Sequence, residues 1–239
     1  MHDAVCSEIR KFRRNKMAWL GTLIIITIPL FMIWNRLVID QQRKYMEWLM
    51  SVLMLNTFVL PIVNGFVITS NMQREYQDRT IRNILTAPVS REKFMAAKFV
   101  VWYLISICLS EMIVTAGCYT LFPVEFTTGN MRYALFLLIQ NNFFSFIAGI
   151  PILWICVKQQ ALFYPSMLAT LGSAVLQAAG LQVSEELILP ACVCPWTAVS
   201  ISGLVEVDTF YYWICLVSIF LCGLVGFMGT IISFGNQDQ

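Results

Sequence analysis

Two kinds of polar residue stand out in an otherwise apolar chain, and each implies a different chemistry. Glu111 lies inside an apolar run about thirteen residues beyond Lys98, roughly 20 Å along a helix. A carboxylate at that depth must face protein or water, or stay protonated. It reads either as a substrate-contacting or gating group, or as a neutral acid bonded to a neighbouring helix or near the interface. Asn141, Asn142 and Gln177 lie in two other apolar runs. They are candidate partners for Glu111 along a substrate pathway, although such amides equally serve helix–helix hydrogen bonding. The second kind is the charged stretch 73–91. Glu75 with Arg79, and Asp78 with Arg82, are i,i+4 pairs with the acid first, each worth ~0.3 kcal/mol. Ile81, Ile84, Leu85 and Pro88 recur at helical spacing. Pro88 ends this amphipathic helix, and Ser90 can cap the next. The helix either lies on anionic lipid or offers its narrow apolar edge to a groove on a cytoplasmic partner.

Other chemistries lack their residues. The only histidine is His2, so the eight cysteines have no His/Cys ligand set for a metal. Most of them fall in apolar runs, where Cys packs as a small hydrophobe. No G-x-x-x-x-G-K-[ST] occurs, so this chain is not expected to bind ATP and Mg²⁺ itself. An integral membrane enzyme would need clustered His, Asp or Ser groups at the interface. A secondary transporter for a lipid-like substrate would call for an internal repeat with midplane charges. Neither pattern is evident. The basic arm around Arg10, Lys11, Arg13 and Arg14 has little aromatic interleaving; it suits anionic lipid better than nucleic acid.

The elements that hold these residues follow from composition. Of 239 residues, 58% are apolar and 13% charged, with a mean hydropathy of +0.70; soluble domains carry about 25% charged residues. An all-α integral membrane fold is expected, with runs at 17–34, 48–69, 94–122, 133–157, 161–181 and 210–234 as six spans. Residues 1–16 form an interfacial segment, 70–93 an inner loop, and 182–209 an outer segment. Within the last, 187–199 is apolar but too short to cross and holds Pro190 and Pro195, a re-entrant or interfacial pattern. Trp196 suits the headgroup level. Twelve Lys and Arg residues (10, 11, 13, 14, 16, 74, 79, 82, 91, 93, 98 and 158) fall on one side, and four (36, 43, 44 and 132) on the other. The basic side belongs in the cytoplasm, with both termini, of a multi-pass plasma-membrane protein. Glu185, Glu186, Glu206 and Asp208 then form an outer acidic segment that steers a cationic peptide, or simply reflects the exclusion of Lys and Arg from that side.

The run Glu75, Arg79, Thr80, Ile81, Ile84, Leu85, Pro88, Val89, Ser90, Arg91 and Lys98 resembles the cytoplasmic loop of type-2 ABC exporter permeases. The match departs at Arg79, where the family often has Gly before Thr. Glu8 to Arg14 resembles the family's elbow helix, and the spans extend the likeness over nearly the whole chain. In size, and in Leu189, Pro190, Pro195 and Trp196, the chain is similar to the short permeases of lantibiotic immunity and bacitracin resistance. The resemblance implies that Glu75, Asp78, Arg79, Thr80, Ile81, Ile84, Leu85 and Pro88 couple the chain to a cytoplasmic ATP-binding subunit carrying ATP and Mg²⁺. It also implies a second permease subunit, identical or paralogous, and export or expulsion of an antimicrobial peptide.

Overall fold

The computed structural model describes residues 6, 9–10, 16–39, 45–77, 97, 101, 128–159 and 164–236. Among them there is no strand. Helix α1 is Lys16–Ile39, α2 Tyr45–Gln77, α3 Thr128–Gln159 and α4 Tyr164–Gly180. A 3-10 turn at Glu185–Leu187 leads into short helices α5 (Ile188–Val193) and α6 (Pro195–Ser202), and α7 is Phe210–Gly235. Tyr45–Gln77, Arg132–Gln159 and Phe210–Gly235 are each long and apolar enough to cross a membrane. Cys6, Ile9 and Arg10 are helical. The rest of the amino-terminal arm, the segment 78–96 and nearly all of 98–127 lie outside the described residues.

The packing sets the direction of each helix. Tyr45, Trp48, Leu49 and Val52 at the start of α2 cluster with Ala134, Leu137 and Leu138 near the start of α3. Ile68 and Met72 near the end of α2 cluster with Leu153 and Val157 of α3 and Phe234 of α7. These three helices therefore run the same way, from a Tyr45 end to a Gln159 end. Helix α4 runs against them: Cys156 Sγ donates to Ser166 Oγ at 3.1 Å, and Ser145 Oγ to Gln177 Oε1 at 3.3 Å. Helix α1 also opposes α2, with Gly21 pressed against Val63 and Val67. Pro165 falls in the first turn of α4, where a missing N–H breaks no helical bond. Pro61 and Pro151 sit inside unbroken helices.

Among the described helices, α3 and α7 share the most extensive contact, and small residues allow it. A Cβ on Gly223 would collide with Ile147 Cγ2, one on Gly226 would lie 2.7 Å from Pro151 N, and one on Gly229 2.6 Å from Trp154 Cδ2. A glycine stripe thus lets the two backbones close on each other, the usual packing device inside a bilayer.

The polarity of the bundle is inverted. On α4, Ser166, Thr170, Ser173 and Gln177 recur at i, i+4, i+7 and i+11 and all are buried. The opposite face is open, with Tyr164 at 78% and Leu168 at 70% exposure. Helix α7 likewise exposes Trp213, Val217, Leu221 and Leu224. Soluble monomers rarely show apolar surface on this scale. The surrounding solvent must be hydrocarbon, where backbone and side-chain polar groups are satisfied inside the protein.

Candidate functional site

The buried polar residues converge where α2, α3, α4 and α6 meet. Gln177 is fully buried, and its Oε1 accepts from Ser145. Its backbone carbonyl accepts from Ser200 Oγ of α6. Gln140 Nε2 donates to the Ser202 carbonyl at 3.1 Å. Asn141 and Ser200 line one small cavity together with Thr57 of α2. Of the amides singled out in the sequence, Asn141 and Gln177 are thus brought to either side of Ser200. Asn142 is buried, and its Nδ2 turns back to Leu138 O on its own helix at 3.0 Å. Glu111, their expected partner, lies outside the described residues. Among the described residues, five buried amide atoms have no hydrogen-bond partner: Asn56 Oδ1, Gln140 Oε1, Asn141 Nδ2 and Gln177 Nε2, and Gln159 Oε1 at the other end of α3. The sequence reading missed the hydroxyls that cross between helices here, Ser145 and Ser200. Only the α4 side, the regular stripe Ser166, Thr170, Ser173 and Gln177, had a signal in the sequence.

The 182–209 segment packs as a broken helical hairpin at the Tyr45 end. Cys194 has extended geometry (φ −77, ψ 118) between α5 and α6, and Pro195 starts α6, where it costs no bond. Cys192, Ala198, Val199 and Ile201 pack with Phe144, Ile147 and Ala148 of α3 and Cys215 and Ile219 of α7. Trp196 departs from the headgroup role suggested by its type. Its Nε1 donates to Ala148 O, inside the bundle, at 3.0 Å, and the ring is partly covered. Next to it, Trp154, Trp196, Phe210 and Trp213 line a lateral apolar groove of about 760 Å³ between α3, the hairpin and α7.

Both ends carry charge, with Arg132 an exposed base at the Tyr45 end. Lys16, Arg74 and Lys158 are exposed at the Gln159 end. Glu185 and Glu186 precede the hairpin and Glu206 and Asp208 follow it, all exposed at the Tyr45 end. Of the residues expected to meet an ATP-binding subunit, only Glu75 is described. It sits in the last turn of α2, next to Tyr76, whose hydroxyl donates to Val157 O at 3.5 Å. Asp78, Arg79, Thr80, Ile81, Ile84, Leu85 and Pro88 lie outside the described residues. Helix α2 does not stop at the expected membrane boundary near residue 69. Its 33 residues span about 50 Å, well beyond ~30 Å of hydrocarbon, so Gln73 to Gln77 continue the span as one rod.

Among the described residues, no group of three or more His, Cys, Asp or Glu could hold a metal. No curated protein matches the chain. A family model described as ABC-2 family transporter protein matches residues 4–175. That match covers well over half of the 239 residues, and the chain therefore belongs to the ABC-2 transporter family, as a multi-pass membrane subunit of the kind that works with an ATP-binding subunit.

Proposed function

We propose that this chain is a six-span permease subunit that converts ATP hydrolysis in a cytoplasmic partner into movement of an antimicrobial peptide out of the membrane or cell. The observation that carries the reading is the unbroken helix α2. It packs on α1, α3 and α4 and runs without a break into Glu75, the first residue of the segment that resembles the family's coupling loop. A rigid rod from the partner-facing end to the polar core transmits a push, as rigid-body coupling requires.

Several features agree with this. Gln77 and Thr128 lie at opposite ends of the bundle, because α2 and α3 run the same way. A crossing by the run 94–122 agrees with that placement. Exposed Lys16, Arg74 and Lys158 gather at one end, which the positive-inside rule assigns to the cytoplasm. The exposed acids at the other end suit a cationic peptide, and the lateral apolar groove suits a substrate taken from the bilayer. In this reading the hairpin α5–α6 is re-entrant from the outer side. The pathway forms with a second permease subunit, identical or paralogous.

The test is direct. Replacing Ile84 and Leu85 by Asp leaves membrane insertion intact and abolishes permease-dependent stimulation of the partner ATPase. Normal transport by that variant refutes the docking assignment. Failure of the native chain, expressed with its genomic neighbours, to co-purify any ATP-binding protein in mild detergent refutes the proposed function as a whole.

A further inference from the structure

We propose that the lateral groove between α3, the hairpin and α7 binds the alkyl tail of a cationic amphiphile drawn from the outer leaflet, with its ammonium head at Phe210, Trp213, Glu206 and Asp208. The tail half of the assignment comes from the walls. The groove encloses about 760 Å³, within the ~300–1,000 Å³ of ordinary ligand pockets. On α7 it runs from Phe210 to Val225, roughly 22 Å by helix rise, which exceeds half of a ~30 Å hydrocarbon core. The polar groups of its walls are largely spent on the protein itself. Trp154 Nε1 donates to Ser233 Oγ at 2.8 Å, Trp196 Nε1 to Ala148 O at 3.0 Å, and Ser218 Oγ to Val193 O. Pro151 and Pro195, also on the walls, have no N–H to offer. A peptide segment here would bring its own N–H and C=O groups into hydrocarbon with little to bond among the described residues. A saturated chain has none to satisfy, so the groove selects a tail over a polypeptide.

The head half comes from the mouth. Phe210 and Trp213 are three residues apart and so share one face of α7, at 69% and 59% exposure. The faces of such rings attract an ammonium group. Glu206 and Asp208 are exposed just before them. The Thr209 N–H bonds to Glu206 O at 3.1 Å, a turn that keeps Glu206 beside the start of α7. The bilayer is as apolar as the groove, so burial of the tail alone favours neither place. The head therefore decides which amphiphile stays, and an anionic head would meet two carboxylates. As cargo, the amphiphile rests on the permease reading above; its binding does not. The binding test needs no ATP-binding partner, so the two can fail separately.

The probe is hexadecyltrimethylammonium with a diazirine near the end of its tail. It is added at tracer level to the full-length chain in phosphatidylcholine nanodiscs, and the photo-adducts are mapped by mass spectrometry. Adducts are expected on wall residues such as Val193, Leu221 and Val225. Their yield should be about fivefold above that of the same tail on a phosphocholine head, the gain that exposed ion pairs and ring contacts supply. Glu206→Gln with Asp208→Asn is expected to bring the two probes level. Val217→Trp, which fills the groove from an exposed position, is expected to remove the wall adducts. The proposal is overturned if adducts spread evenly over the exposed faces of α4 and α7, or if the phosphocholine probe labels the native walls equally. It is also overturned if Val217→Trp labels as the native chain does. Unchanged labelling in the carboxylate variant, as would follow if Arg132 already neutralised the acids, overturns it too. Labelling of the same walls by a lysine-rich peptide that carries the diazirine but no tail would assign the groove to a polypeptide and overturn it as well.

Discussion

Gly226 gives the sharpest test of the packing. A Cβ added there would lie 2.7 Å from Pro151 N and 2.9 Å from both Pro151 Cα and Cγ. Carbon atoms pack best at ~3.5–4.0 Å, so Gly226→Ala must drive α7 and α3 apart by roughly 0.7–1 Å. Neither obstacle can rotate away, since both belong to backbone or a closed ring. Such overpacking costs about 1–3 kcal/mol, against a gain of up to ~1 kcal/mol from replacing a helical Gly with Ala. The Gly→Ala control shares that gain, so the overpacking cost of about 1–3 kcal/mol is read as a melting temperature ~2–12 °C below the control's for a chain of this size. The control is Gly172→Ala in α4, where nothing among the described residues lies within 4 Å of the new Cβ and no loss is expected. The assay is thermal unfolding of both variants in the same detergent, followed by intrinsic tryptophan fluorescence. Equal stability of the two variants would refute the close α3–α7 contact and the account of the glycine stripe.

Other predictions follow from single contacts. Trp196→Phe removes the bond to Ala148 O and part of the ring's packing, and is expected to cost at least ~0.5–1.5 kcal/mol in the same unfolding assay. A membrane-permeable maleimide should label partly exposed Cys6 and Cys194 before buried Cys156, Cys192 and Cys215, with burial also holding the Cys192 thiol above its ordinary pKa. Peptide mapping of the labelled chain checks the order, and early labelling of Cys192 would contradict the hairpin's packing. Neutralising Glu185, Glu186, Glu206 and Asp208 together should weaken protection against cationic peptides in a growth assay, more so at low salt; unchanged protection would show that the acids merely reflect membrane topology.

The helices were legible because long apolar runs leave little choice of structure, and 133–157 and 210–234 fall within single helices. Helix ends were harder to read. Charged residues such as Arg74 and Glu75 suggested a new element after residue 69, yet local helix propensity carries α2 on to Gln77. Asn141 and Gln177 announced themselves as costly amides in apolar runs. Thr57, Ser145 and Ser200 did not, because a lone hydroxyl in a span is cheap and bonds to its own helix as easily as to a neighbour. Trp196 was misread by residue type. Only the fold reveals that the hairpin turns its indole toward α3, one turn before Pro151. The stripe Ser166, Thr170, Ser173 and Gln177 shows the opposite case: its period is plain in the sequence, but it gains meaning once the open face of α4 is known to be the apolar one.

That stripe also bears on how the protein is made. Helix α4 must enter the bilayer carrying three hydroxyls and a carboxamide along one side. Delivered alone, it would hold its Gln177 amide in hydrocarbon with few groups to bond. The remedy lies one short connection upstream, where Ser145 of α3 meets Gln177 and Cys156 meets Ser166. During synthesis, α3 and α4 are therefore best inserted as a pair, with the first helix waiting beside the translocon for the second. Lengthening the short connection between them should impair biogenesis before it impairs any later step.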